Sequence, residues 1–181
     1  MPEPSRHPAA MPDPMAKWTP VPDWRIAQIE RPDWSARPVP GLSLAFVGGR
    51  IDLAIAALAP DAEDLGLWQI AEAEAQAIRI GRDKALIVTR RALAIQPGWN
   101  PEGWSATPAE SAFGVIDIAG SALGDIVSEA TAADIDTGSR SAAVLFAGTP
   151  CLLTRIAHDT ARVIVEAGYT PYLWRWLETR Q

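Results

Sequence analysis

Ala142-Ala143-Val144-Leu145-Phe146-Ala147-Gly148-Thr149-Pro150-Cys151-Leu152-Leu153-Thr154-Arg155-Ile156-Ala157-His158-Asp159-Thr160-Ala161-Arg162-Val163-Ile164-Val165-Glu166 is the stretch on which the fold turns. Three apolar runs are separated by short turn signals, first at Gly148-Thr149-Pro150 and then at Ala157-His158-Asp159-Thr160. Short runs rich in Val, Ile and Leu and bounded by Gly, Pro and Asp are strands, and turns this tight make neighbours antiparallel. A helix follows: Thr170 is placed as its N-cap and Pro171 at its first position, where the missing N–H costs nothing. Tyr169, Leu173, Trp176 and Leu177 then share one face at helical spacing and are expected to cover the sheet.

Upstream, Leu42 to Val47 alternates as a strand and stops at Gly48-Gly49. The Ala- and Leu-rich pieces Ile51–Leu58 and Asp61–Ala73 read as one or two helices, with Asp61 as N-cap of the second. Ala77–Ile80 and Ala85–Thr89 flank a turn at Gly81-Arg82-Asp83-Lys84 and read as a hairpin. Gln96–Pro108 reads as a loop carrying Trp99 and Trp104, and Phe113–Ile118 as a strand. Ser121 is expected to cap an amphipathic helix through Leu123, Ile126, Val127 and Ala130, ending near Asp136-Thr137-Gly138. Strand, helix and strand from Phe113 to Phe146 would form a right-handed crossover. This order predicts an α+β fold with a mixed, largely antiparallel sheet, helices on one face and ferredoxin-like subdomains.

Residues 1–40 differ in kind from 41–181, the expected globular domain. They hold ten of the 16 prolines, and Trp18, Trp24 and Trp34 among the 8 tryptophans. Such proline density favours extended backbone, and residues 1–15 read as disordered. Pro22-Asp23-Trp24 and Pro32-Asp33-Trp34 echo each other, each a turn presenting a large rigid ring. Two readings stay open: the arm packs back on its own domain, or its Trp18, Trp24 and Trp34 anchor a partner protein.

Charge and composition exclude several functions. The 181 residues are 48% hydrophobic and 21% charged, with formal net charge -6, which disfavours a nucleic-acid or anionic-membrane surface. No apolar run is long enough to span a bilayer, and the N-terminus lacks a signal-peptide core, so a cytoplasmic location is expected. The lone Cys151 excludes a disulfide framework and reads as a small buried hydrophobe.

The motif search finds no P-loop and no Gly-x-Ser-x-Gly elbow, and Gly120 and Gly124 lack the dinucleotide-loop spacing. His158-Asp159 is read as a turn rather than a general-base pair, and no carboxylate spacing suggests a metal. Asp117, the one carboxylate in an apolar strand, is either a ligand group or a polar residue facing out. We therefore expect no catalytic, cofactor-binding or metal-binding residues, and a chain that binds or supports.

The segments Ser139–Pro150, Leu152–Ile156 and Tyr172–Glu178, with Ala77–Val88 and Phe113–Gly120 upstream, together resemble the gamma subunits of heterotetrameric sarcosine oxidases. The pattern spans about Leu42 to Glu178 and departs from that family at three places: Arg82 for proline, Lys84-Ala85 for Glu-Trp, and Ala167-Gly168 for Arg-Ser. The resemblance implies a fold related to folate-binding aminomethyltransferase domains. It also implies an accessory, non-catalytic role beside a large flavin- and folate-binding subunit, in a complex that demethylates sarcosine or a related methylamine. FAD, FMN, NAD and tetrahydrofolate would lie on other subunits and none on this chain. The alternative is a stand-alone folate-type small-molecule binding domain, with Asp117 as its anchor.

Overall fold

The computed structural model describes residues 21–96 and 98–180, so Trp18 and residues 1–15 lie outside the described residues. The strands are β1 (Ile29–Glu30), β2 (Trp34–Pro38), β3 (Ser43–Gly49), β4 (Glu63–Leu65), β5 (Gln76–Gly81), β6 (Lys84–Thr89), β7 (Trp99–Asn100), β8 (Trp104–Pro108), β9 (Phe113–Gly120), β10 (Ala143–Phe146), β11 (Thr149–Ala157) and β12 (Thr160–Glu166). The helices are α1 (Ile51–Leu58), α2 (Leu123–Ala130) and α3 (Thr170–Glu178).

Period-two alternation divides the strands into two six-stranded sheets, ordered β1-β2-β9-β12-β11-β10 and β4-β5-β6-β3-β8-β7. All pairs are antiparallel except β4 with β5. Ile116, Ile118, Val163 and Leu153 of the first sheet face α2 and α3. Their neighbours Val115, Ile164 and Leu152 face Leu44, Ile78 and Leu86 of the second sheet. On the far side, Val47, Ala85 and Ile87 pack under Ile51 and Ala54 of α1. The molecule is thus four layers, helix–sheet–sheet–helix, and each sheet carries its helices on one face. This is the α+β architecture that the order of elements predicts, arranged as two sheets.

The two sheets repeat one topology. In each, a first strand (β3 or β9) leads through a helix to a second (β5 or β11), which turns into a third (β6 or β12) lying beside the first. A fourth strand, β8 or β2, flanks the first on its other side. The ferredoxin-like strand order is therefore present twice, and in the first sheet its fourth strand comes from the N-terminal segment. The same junction recurs as well. Gly49 at the end of β3 pairs with Trp104, and Gly120 at the end of β9 pairs with Trp34. A Cβ on Gly49 would lie 2.5 Å from the Gly103 carbonyl oxygen, and one on Gly120 would lie 2.3 Å from that of Asp33. Only glycine allows the incoming backbone this close.

Several expectations are corrected. Residue 40 is not a boundary, because β1 and β2 are strands of the first sheet and Trp34 is 3% exposed beneath it. Asp61–Ala73 is not a helix: β4 pairs with β5, and the chain then crosses to the first sheet through bridges Leu67–Ser139 and Ile70–Arg155. Gly66 packs against Ser139, and the Glu63 carboxylate accepts the Glu72 and Ala73 N–H groups, contacts that override helix propensity. The loop expected over Gln96–Pro108 contains β7 and β8, whose small residues Ser105 and Ala106 gave little apolar signal.

β10 runs antiparallel to β9 with two strands between them, so the parallel partner reached after α2 is β11. Ser121 does not cap α2. Its hydroxyl donates to the Asp33 carbonyl (3.4 Å), and the helix ends at Ala130. Thr170 is the first helical residue of α3 rather than its N-cap. The buried face of that helix is Leu173, Trp174 and Leu177, with Tyr169 45% exposed.

Candidate functional site

Trp24 and Trp34, expected as partner anchors, are both engaged by the chain itself. Trp34 begins β2, and the Arg31 guanidinium lies 5.9 Å from its ring. Arg31 also donates to the Glu178 carbonyl (3.0 Å) and the Arg180 carbonyl (3.2 Å), satisfying the C-terminal end of α3. Trp24 stands edge-on to Trp174, with centroids 5.6 Å apart and planes at 83°. The Asp23 carbonyl accepts the Ile26 and Ala27 N–H groups, which closes the turn that holds Trp24 in place. The 21–38 segment is therefore stitched to α3 and β9 by rings, by cation contacts and by a ladder.

Beside Trp24 a groove of about 350 Å³ opens between the β2–β3 connection, the start of β9 and the start of α3. Leu42, Val39 and Phe113 form its apolar lining, and Glu110 and Thr170 contribute polar groups. Glu110 accepts the Leu44 N–H at 3.3 Å. The Thr170 hydroxyl is buried without a hydrogen-bond partner, close against Gly114, where a Cβ would lie 2.2 Å from it. Apolar walls with a few convergent polar groups make a small-molecule or side-chain-sized site.

A second, polar concavity lies at one end of the space between the sheets. Asp117 does not face out: it is 4% exposed and stands opposite Arg162 in the β9–β12 register. Arg162 donates from Nε to Oδ1 (2.8 Å) and from Nη2 to Oδ2 (3.0 Å), a fork that satisfies both carboxylate oxygens. Thr154 is the next residue across in the β11–β12 register, and its buried hydroxyl has no partner. From the facing sheet, Gln76 is 4% exposed with its Oε1 also unpartnered. Arg162 and Gln76 border a pocket of about 310 Å³ with Leu42 and Ile156. A donor on one wall and an acceptor on the other suit a small polar molecule or water.

The remaining candidates are structural. His158 and Asp159 form the two-residue turn between β11 and β12. The Asp159 carboxylate accepts the Thr160 hydroxyl (3.2 Å), and its carbonyl accepts the Gly120 N–H. Burial pushes the Cys151 thiol up to about 11, far from a reactive thiolate. Among the described residues no group of three or more His, Cys, Asp or Glu is placed to hold a metal ion. Among them, too, no helix is long and apolar enough to cross a membrane.

No family model matches the chain, and no curated protein matches it in sequence. Solved structures do. The heterotetrameric sarcosine oxidase from Corynebacterium sp. U-96, in complex with pyrrole 2-carboxylate, contains a chain that superposes with a TM-score of 0.63 at 17% identity. The match covers 80% of this chain and 82% of that one. The fold is that of a sarcosine oxidase chain.

The residues that sequence reasoning missed are those defined by pairing across the chain. Arg162, Gln76 and Thr154 give no local signal, because their meeting depends on strand register and on how the two sheets face each other. Glu110 reaches the groove from the β8–β9 turn and Thr170 from the start of α3, placements that no local pattern encodes.

Proposed function

We propose that the chain is an accessory, non-catalytic subunit of a sarcosine-oxidase-like complex that oxidatively demethylates sarcosine or a related methylamine. The observation that carries this reading is the fold match over four fifths of both chains to a chain of a heterotetramer. The structure is compatible with it: the buried Asp117–Arg162 pair is spent on joining two strands, and the exposed rings of Tyr169 and Tyr172 stand just before α3 and in its first turn. In this reading the FAD, FMN, NAD and tetrahydrofolate sites lie on other subunits, the large flavin- and folate-binding subunit is the direct partner, and the complex works in the cytoplasm. Co-expression with the large flavin subunit of such a complex from the same genome tests it. The two chains are expected to co-elute at fixed stoichiometry, and separate elution overturns the reading.

A second reading, a folate-type small-molecule binding domain, is favoured by the groove of about 350 Å³ beside Trp24. Asp117 is not among its lining residues, and Glu110 is the carboxylate at hand. Titration calorimetry with tetrahydrofolate decides between the two: saturable heat that Phe113→Ala abolishes supports the binder, and absence of heat removes it.

A further inference from the structure

We infer that β10 is an open pairing edge that receives an extended strand from the larger subunit of the complex, an inference that rests on the accessory-subunit reading above. Among the described residues the two sheets end in four edge strands: β1, β4, β7 and β10. Three are blunted in the ways that keep edges from pairing. β1 and β7 have two residues each, and β4 carries Glu63 and Asp64, with Asp64 tied to Arg79 at 2.6 Å. β10 has none of these devices. Its four residues, Ala143-Val144-Leu145-Phe146, include no charge and no proline, and its register with β11 runs without a bulge.

The hydrogen-bonding groups of this edge follow from its turn. Ala147 and Gly148 both have positive φ, 50° and 79°, the signature of a two-residue type I′ hairpin. In such a hairpin the flanking Phe146 and Thr149 exchange main-chain hydrogen bonds, and every second pair beyond them does so too. The N–H and C=O of Leu145 and the C=O of Ala143 therefore point away from β11, and they have no partner among the described residues. Leu145 is also 63% exposed, a ready contact for an incoming side chain. The edge is held in place before binding: Ala147 donates to the Ala130 carbonyl at the end of α2 (2.8 Å) and accepts the Tyr172 hydroxyl from α3 (3.0 Å). Prior ordering of this kind lowers the entropic cost of association.

Unpaired main-chain donors and acceptors in strand geometry specify the occupant, an extended polypeptide adding one strand to the sheet. A second copy of this chain is the poorer occupant, since each copy carries a formal net charge of -6 and would repel its twin.

Two variants and one exchange measurement test the assignment in the co-expressed complex. Leu145→Pro removes the outward N–H together with the exposed leucine side chain, and Leu145→Lys keeps the N–H but adds the charge that natural edges use as a guard. Both are expected to keep the wild-type circular dichroism and melting temperature, and to bind the large subunit about tenfold more weakly or worse, in the proline variant through the loss of one main-chain hydrogen bond and in the lysine variant through the charge placed on the edge. The Leu145 amide is expected to exchange with deuterium about tenfold more slowly in the wild-type complex than in the free chain. If Leu145→Pro misfolds, Leu145→Lys and the exchange rate still decide. A complex that forms with wild-type affinity in both variants, with Leu145 unprotected, overturns the edge assignment and leaves the accessory role standing. If the wild-type chain forms no complex, the accessory role fails and the occupant with it. A chain that dimerises alone, and that Leu145→Lys turns into a monomer, overturns the choice of occupant.

Discussion

Arg162 and Asp117 face each other across the β9–β12 ladder with side chains 9% and 5% exposed, and the fork geometry leaves no carboxylate oxygen unsatisfied. Removing one member strands a buried charge, whereas replacing both removes the problem together with the interaction. Arg162→Met is therefore expected to cost about 3–5 kcal/mol in urea unfolding, with Arg162→Met/Asp117→Leu recovering most of it. Cys151 sets a different expectation. Its folded pKa is raised by burial from 9.0 to about 11, so the folded state prefers the protonated thiol. That contribution is complete below pH 9.0, where the thiol is protonated in both states, and is lost as pH rises toward about 11. Comparing wild type with Cys151→Ala across this range should show a difference of roughly 2–3 kcal/mol growing with pH in the wild type only.

Among the elements, β2 shows how a strand can be hidden in sequence. Trp34-Ser35-Ala36-Arg37-Pro38 has a single large apolar residue and a proline, yet Trp34 and Ala36 bury completely on the α3 face while Arg37 stays exposed. Proline is tolerated because it ends the strand. A chain lacking residues 1–38 loses Ile29, Trp34 and Ala36 from the core and uncovers Ile116, Ile118 and Trp174. Loss of one buried tryptophan alone costs about 3–5 kcal/mol. The truncated chain is therefore expected to melt far below the full chain or to aggregate, as read by thermal unfolding and light scattering. An unchanged melting temperature would show that the segment does not belong to this core. The three strands from Ala143 to Glu166 were legible because each is a continuous apolar run between turn residues. Asp61–Ala73 was misread for the opposite reason: its composition is helical, and only Gly66 pressed on Ser139 and the pairing of β4 with β5 hold it extended.

At the scale of the whole molecule, two copies of one strand–helix–strand–strand arrangement stand back to back, sharing the Val115, Ile164, Leu44 and Ile78 layer. In that arrangement α2, α3 and the β10 edge lie on the opposite side of the first sheet or at its margin, away from the shared layer, where a partner subunit can reach them. Co-elution with the large flavin subunit is the expected behaviour of the molecule as a whole, and its loss on changing Leu145 is the expected behaviour of its edge. The sequence alone determined the α+β class, the meander with its aromatic helix, the β5–β6 hairpin and the absence of familiar nucleotide-binding motifs. All of these depend on contacts between near neighbours, which leave periodicity and turn residues in the chain. Only the tertiary structure decided that there are two sheets, that the proline-rich segment completes one of them, and that Asp117 is bound to Arg162. Those outcomes depend on partners far apart in the chain (Asp117 and Arg162, Gly120 and Trp34), whose pairing leaves no periodic trace in either segment.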